Sequence, residues 1–304
     1  MKSRRVLVTG ATGLIGRQTV LPLKARGFTV IAMTHGKGAV AEADANTAGD
    51  LLVSAAMKRV ACQGAAGHCV RGAWQGDISN RWNSLANLDW AGATLQLVHR
   101  FAEEGGKGAV LAGSCAEYDW GGGGSFAEDD DLGPRSLYGQ AKAATGVLLT
   151  SASQHLGMTL AWARIFFCYG PGESQGRLIG ARVSGLSANR IVECTDGQQL
   201  RDFLHTADIG KALATLLDAG AAGAVNVGSG TAVPVARVIQ TVARVMGKPE
   251  LIRLGAQPRP PDDPACIEAV VTRLTSEFGF KPEIDLETGL ENVIQREVGN
   301  EQPI

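Results

Sequence analysis

Apolar residues along this chain gather in short β-branched runs separated by longer stretches with helical spacing. Arg5–Thr9 reads as a strand, Leu14–Arg26 as a helix and Thr29–Met33 as a second strand. A helical stretch over Ser84–Glu104 leads into a strand at Gly108–Ala112, and a helix over Tyr138–His155 leads into a strand at Thr159–Ile165. Asp208–Leu217 reads as a helix, Ala224–Val227 as a strand and Val233–Met246 as a further helix. The strands are continuous apolar runs, the pattern of strands buried on both faces. Alternation of such strands with helices predicts an α/β fold built on a doubly wound parallel sheet. Ala39–Gly76 is rich in Ala and Gly with weak periodicity and yields no clear element. The proline-dense run Gln257–Pro264 suits a smaller C-terminal lobe that closes over a ligand.

Composition narrows the classes further. The chain has 304 residues, 45% of them hydrophobic, with 29 basic and 30 acidic side chains and a formal net charge of −1. Low hydrophobicity and high net charge, the conditions for disorder, are both absent. A near-neutral chain without basic blocks lacks the surface that nucleic acid requires, so no nucleic-acid partner is expected. The 40 glycines follow no triplet repeat, which excludes collagen. None of the six cysteines forms a CxxC pair or zinc-ligand spacing with His, so the expectation is no metal and reduced thiols in the cytoplasm. Thr9-Gly10 interrupts the N-terminal apolar run before it reaches signal-peptide length. Residues 143–163 carry no charge over 21 positions, enough to raise a membrane span. Ser151, Ser153, Gln154, His155 and Gly157 break that run into helix, turn and strand, so no membrane partner is expected.

The first strand runs into Thr9-Gly10-Ala11-Thr12-Gly13-Leu14-Ile15-Gly16 and then into a helix. Small residues there let backbone N–H groups approach a pyrophosphate at the positive end of the helix, as in a Rossmann dinucleotide site. Gly10, Thr12, Gly13, Leu14, Ile15 and Gly16 are therefore the candidate cofactor cradle. An acidic residue at the end of the second strand would hold the ribose hydroxyls of NAD. Here that end reads Met33-Thr34-His35-Gly36-Lys37, with no carboxylate. Thr34, His35 and Lys37 would tolerate a 2′-phosphate, so NADP(H) is favoured, with NAD(H) as the alternative.

Tyr138 and Lys142 stand four residues apart on one helix face. A free tyrosine has a pKa of about 10, and a neighbouring ammonium favours its phenolate, making Tyr138 usable as a general acid or base. Ser114 follows the apolar run Ala109–Ala112, at the C-terminal end of a strand where open α/β sheets hold ligands. Its hydroxyl can donate a hydrogen bond to a substrate oxygen gaining charge.

With these motifs in this order, the chain resembles the extended branch of the short-chain dehydrogenase/reductase superfamily, the nucleotide-sugar epimerases, dehydratases and reductases. The TGxxGxxG spacing at Thr9–Gly16, the YGxAK form at Tyr138–Lys142 and the earlier Ser114 carry the resemblance. Arg164–Gly172, Arg201–His205, Asn226–Gly230, Gly279–Pro282 and Gly289-Leu290 extend it over nearly the whole chain. It implies that residues 1–170, joined by 202–228, form the dinucleotide-binding domain, and that 171–201 with 229–304 form the substrate-binding lobe. It implies Ser114, Tyr138 and Lys142 as a catalytic triad, with Tyr138 and Lys142 also contacting cofactor. Asp50-Leu51 would meet the adenine, and Asn87 resembles a helix asparagine near the active site. Arg201 and Arg259 would hold the diphosphate of a nucleotide-sugar substrate, with Glu117 and Phe167 also facing substrate. A homodimer would form through the helices at Ser84–Glu104 and Tyr138–His155.

Departures from the pattern bear on the reaction. Sugar-nucleotide dehydratases of that branch carry an Asp-Glu pair after the catalytic hydroxyl residue, where this chain has Cys115-Ala116. Glu117 lies one position later, and on an extended chain it would face the opposite way. Phe167 replaces a substrate-binding Asn. Trp74, Trp82, Trp90 and Trp120 are expected mostly in the core, Gly121–Gly124 as a loop over the site, and His205 in packing or a local hydrogen bond. The leading reading is an NADPH-dependent reductase of a 4-keto deoxysugar nucleotide, since Gly113–Trp120 resembles the corresponding segment of such reductases. A 4-epimerase with tightly held NAD and a non-catalytic dinucleotide sensor are the alternatives.

Overall fold

The computed structural model describes residues 4–36, 38–53, 66–74 and 80–300, with side chains described up to residue 297. Lys37 and Cys62 lie outside the described residues. The chain runs β1 (Arg4–Thr9), α1 (Gly16–Ala25), β2 (Phe28–Thr34), β3 (Ala45–Ala48), β4 (His68–Arg71), α2 (Ala86–Glu103) and β5 (Gly108–Ser114). After a short 3-10 turn at Cys115–Glu117 come β6 (Gly124–Phe126), α3 (Leu137–Ala152), β7 (Thr159–Ile165), β8 (Phe167–Tyr169), α4 (Leu178–Ser187), β9 (Val192–Glu193), β10 (Leu200–His205) and α5 (Thr206–Asp218). The chain ends with β11 (Gly223–Val227), β12 (Ala232–Pro234), α6 (Val235–Val245), β13 (Ile252–Arg253), β14 (Cys266–Ala269), α7 (Thr272–Ser276) and α8 (Leu286–Asn300).

Seven strands form one sheet in the order β11-β7-β5-β4-β1-β2-β3, and every pair in it is parallel. Alternation along β1 explains the two-sided core. Val6 and Val8 face one layer with Val20 and Leu23 of α1 and Ile209, Leu213 and Leu216 of α5. Leu7 faces the other with Leu97 and Phe101 of α2 and Leu149 of α3. The sheet is Rossmann-like, and each helix named in the sequence pattern forms within a few residues of its expected bounds. The unclear segment contributes β3 and β4, of which β3 is an exposed edge strand with no apolar run to betray it.

A second sheet has the order β12-β10-β14-β6, with β8 also pairing β10. Phe167–Tyr169, counted above with residues 1–170, thus pairs with β10 rather than with the seven-stranded sheet. Gly124, expected in a loop over the site, instead enters β6 and pairs with Ile267 of β14. Among the described residues no helix is long and apolar enough to cross a membrane.

Candidate active site

Two adjoining cavities open at the C-terminal ends of β1, β2, β4 and β5. One, of about 400 Å³, is lined by Gly10, Thr12, Gly13, Leu14, Ile15, Gly16, Thr34, His35, Asp50 and Leu51, which are all the described residues expected to meet the cofactor's adenosine and phosphates. Its floor admits no larger residue. Gly10 has φ +67°, and a Cβ there would meet Ala73 N at 2.7 Å. A Cβ on Gly16 would meet Gly10 O at 2.1 Å. The tight turn therefore brings backbone N–H groups and the α1 N-terminus to the cavity, the arrangement that binds a pyrophosphate. Thr34 is buried and spends its hydroxyl on Gly38 O at 2.8 Å, so it shapes the loop after β2.

The second cavity, of about 390 Å³, contains Ser114, Tyr138, Lys142 and Phe167 in its wall. Ser114 ends β5 and starts the 3-10 turn, its Oγ accepting Ala116 N at 3.2 Å. The Ser114 and Tyr138 side chains line this cavity together. Ser136 caps α3 by accepting Gly139 N at 3.1 Å, and Tyr138 N donates to Trp82 O at 2.9 Å, which fixes the first turn carrying the phenol. Burial pushes the Tyr138 hydroxyl up to about 12, partly offset by the Ser114 hydrogen bond. It is therefore a neutral proton donor in neutral solution. Lys142 Nζ donates to Ala112 O at 2.7 Å and lies 3.9 Å from the Trp74 ring centroid, against 5.9 Å from that of Tyr138. Burial first, then the nearby Arg71 charge, holds the ammonium well below its usual range.

Three side chains expected at the substrate line neither cavity. Glu117 is 1% exposed and turned inward. The chain coils into the 3-10 turn after Ser114 instead of staying extended, which folds Glu117 back to accept Ser114 N at 2.6 Å, Trp162 Nε1 at 2.9 Å and Arg164 Nε at 3.2 Å. Arg201 lies behind Phe167, with its guanidinium carbon 5.6 Å from that ring's centroid. Its donors go to Leu200 O, Pro264 O and the Asp263 carboxylate. Arg259 reaches Asp263 at 3.6 Å and Asp196 at 3.9 Å. Both arginines thus converge on Asp263 within the second-sheet lobe.

Other motif residues serve the frame. Arg164 donates to Tyr118 Oη at 2.9 Å, and Tyr118 donates to Asn226 Oδ1 at 2.7 Å. Asp202 accepts Ser229 N, Gly230 N and Ala269 N. Asn87 donates to Arg81 O and Ser84 O and accepts Trp74 Nε1, so its amide is fully used. His205 caps α5 by accepting Ala207 N at 3.2 Å through Nδ1.

Only Trp90 among the four clustered tryptophans is a buried core residue; Trp74, Trp82 and Trp120 line the second cavity. Tyr138 packs edge-on to both Trp74 and Trp82, with ring centroids 6.3 and 5.6 Å apart. Arg81 and Arg177 also line this cavity and were not anticipated. Arg81 sits beside Trp82 and six positions before Asn87, so an Arg inside a tryptophan-rich segment was the available signal. Among the described residues no Asp or Glu lines the second cavity, and no His/Cys/Asp/Glu cluster could hold a metal.

The profile described as the NAD dependent epimerase/dehydratase family matches residues 6–228. The chain is 29% identical to a dTDP-4-dehydro-6-deoxy-D-allose reductase from Streptomyces bikiniensis, covering 95% of this chain and 94% of that one. It is 28% identical to a dTDP-glucose 4,6-dehydratase from Actinoplanes, over 56% of this chain and 54% of that one. Its fold superposes with a TM-score of 0.86 on the UDP-glucose 4-epimerase of Thermus thermophilus in complex with NAD, at 22% identity over 97% and 99% of the two chains. MoeE5 in complex with UDP-glucose and NAD superposes with a TM-score of 0.82 at 26% identity, again over 97% and 99%.

Proposed function

This chain belongs to the NAD dependent epimerase/dehydratase family and is an NAD(P)-dependent enzyme of the short-chain oxidoreductase/epimerase type, and on that premise we propose that it reduces the 4-keto group of a deoxysugar nucleotide with NADPH. The observation that carries this reading is the chemistry of the second cavity. Tyr138 and Ser114 present hydroxyls there, while no described carboxylate faces them. Dehydration needs an acid and a base acting on neighbouring carbons, and Cys115-Ala116 offers neither. The full-length likeness to an allose reductase points the same way.

Bound NADPH would supply the hydride. Ser114 donates a hydrogen bond to the keto oxygen, and Tyr138, held protonated by burial, gives its proton as charge develops on that oxygen. Lys142 is anchored on Ala112 O with its Nζ 5.9 Å from the Tyr138 ring centroid, in reach of the cofactor that the Gly10–Gly16 turn would hold. Phe167 and the indoles of Trp74, Trp82 and Trp120 offer apolar walls to a sugar that lacks hydroxyls. Phe167, whose strand β8 pairs with β10, lines the cavity together with Leu14 and Ile15 of the glycine-rich turn. NADPH is favoured over NADH because no acidic residue ends β2. A homodimer through α2 and α3 completes this reading.

The test supplies NADPH and a dTDP-4-keto-6-deoxyhexose to the purified protein and follows nicotinamide absorbance with product formation. One NADPH consumed per 4-hydroxy product is expected. Conversion of a dTDP-sugar to its 4-epimer with no net change in nicotinamide overturns the reductase reading in favour of an epimerase.

A further inference from the structure

We propose that Arg81 and Arg177 form a phosphate-binding pair at the junction of the two cavities, where they take a phosphate of the dinucleotide or of the substrate. Arg177 lines both cavities and Arg81 lines the second. Arg81 is held in place through its backbone. Its carbonyl accepts Asn87 Nδ2 at 2.8 Å, and the carbonyl of the next residue, Trp82, accepts Tyr138 N at 2.9 Å. The guanidinium carbon lies 4.8 Å from the Trp82 ring centroid. Yet among the described residues no group accepts a hydrogen bond from that guanidinium, and no carboxylate forms an ion pair with it. A guanidinium on an anchored backbone, beside the Trp82 ring at a cavity wall and without a polar partner among the described residues, is arranged for something that binds there.

The charge balance points to an anion. Arg177 donates from Nε to Glu173 Oε1 at 3.0 Å and from Nη2 to Cys168 O at 3.0 Å, so part of its fork is used. Among the described residues Glu173 is the one carboxylate in ion-pair contact with either guanidinium. Burial, and then the Arg177 charge, lowers the Arg81 pKa, whereas that of Arg177 is raised, its burial outweighed by Cys168 and Glu173. Arg81 is partly desolvated at the cavity wall with no carboxylate paired to it among the described residues, and an arriving oxyanion offsets that cost. Planar forks match phosphate oxygens. Arg177 also shares its cavity with Gly10 and Gly13, whose turn already favours phosphate. Arg201 and Arg259, by contrast, are both engaged with Asp263.

The substrate arm of this proposal rests on the sugar-nucleotide reading above; the dinucleotide arm does not. The experiment titrates NADPH, dTDP and inorganic pyrophosphate into the wild type, Arg81→Met, Arg81→Lys and Arg177→Met, with adenosine and thymidine as uncharged controls. The expected result is a loss of tenfold or more for NADPH or for dTDP in Arg81→Met, partly restored in Arg81→Lys, with the nucleosides unaffected. Loss confined to NADPH assigns the pair to the cofactor, and loss confined to dTDP assigns it to the substrate. Arg81→Met removes no hydrogen bond seen among the described residues, so it keeps the test decisive even where Arg177→Met fails to fold. Wild-type affinities for both nucleotides and for pyrophosphate in Arg81→Met overturn the proposal. Failure of the wild type to bind dTDP overturns the sugar-nucleotide reading alone, since NADPH and pyrophosphate still report on the pair.

Discussion

The Glu117 carboxylate accepts the backbone N–H of Ser114 at 2.6 Å from a side chain only 1% exposed, and the same group neutralises Arg164. The hydroxyl at the end of β5 is thus aimed by a buried acid three residues later. Glu117→Ala leaves Arg164 buried without its partner, which costs about 3–5 kcal/mol of stability. Glu117→Gln keeps the shape and is expected to cost less while lowering kcat more than KM, because a neutral amide oxygen anchors Ser114 N more weakly than the carboxylate. Denaturant unfolding and steady-state kinetics of the two variants check this. Unchanged stability in Glu117→Ala would refute the network.

Tyr138 carries the second prediction. With its hydroxyl held near 12, it remains protonated through the neutral range, so its ionisation costs the reductive direction no rate between about pH 6 and 9. Tyr138→Phe removes the proton donor while keeping the ring contacts to Trp74 and Trp82. Turnover is expected to fall by roughly 10²–10⁴-fold, with NADPH affinity within a few-fold of wild type. Near-normal turnover in Tyr138→Phe would assign the proton to another group.

Much of this architecture is legible in the chain because its signals are local. The Gly10–Gly16 turn depends on spacing and small residues, and the strands β1, β5 and β7 on unbroken apolar runs. What escapes the sequence is direction. Glu117 is an acid one position beyond an expected acid pair, and only the 3-10 turn decides that it points inward. Arg201 belongs to a motif that predicts a phosphate contact, yet Phe167 stands between it and the cavity and Asp263 takes its charge. The polar edge strand β3 has no apolar run to announce it. Arg81 and Arg177 lie in irregular segments, where spacing carries no information about which cavity a side chain enters.

The proposed dimer has a specific surface. Helices α2 and α3 pack on each other, and around them Leu85, Leu88, Val147 and Leu148 are 73%, 57%, 52% and 56% exposed. Large apolar side chains left exposed on two adjacent helices are the surface this proposed dimer would bury. A second copy burying it would stabilise both chains by mass action. The protein is expected to sediment as a dimer, and Leu88→Glu with Leu148→Glu to shift it to monomer. A monomeric wild type at micromolar concentration would remove this part of the reading.

Glu173 sets a pH dependence whose sign follows from its burial. Burial raises its carboxyl from 4.5 to about 7, against the lowering effect of Arg177. A carboxyl with a raised folded-state pKa favours the folded state most when protonated. Its contribution is therefore complete below about pH 4.5 and is lost as pH rises through 7. A shift of this size corresponds to about 3 kcal/mol between the two limits. Stability attributable to this group should fall between pH 5 and 8, and Glu173→Gln should flatten that slope because the amide does not titrate. Urea unfolding of both proteins at half-unit pH steps measures the difference directly. An identical slope in Glu173→Gln would place the carboxyl in its ordinary range, with Arg177 rather than burial controlling it.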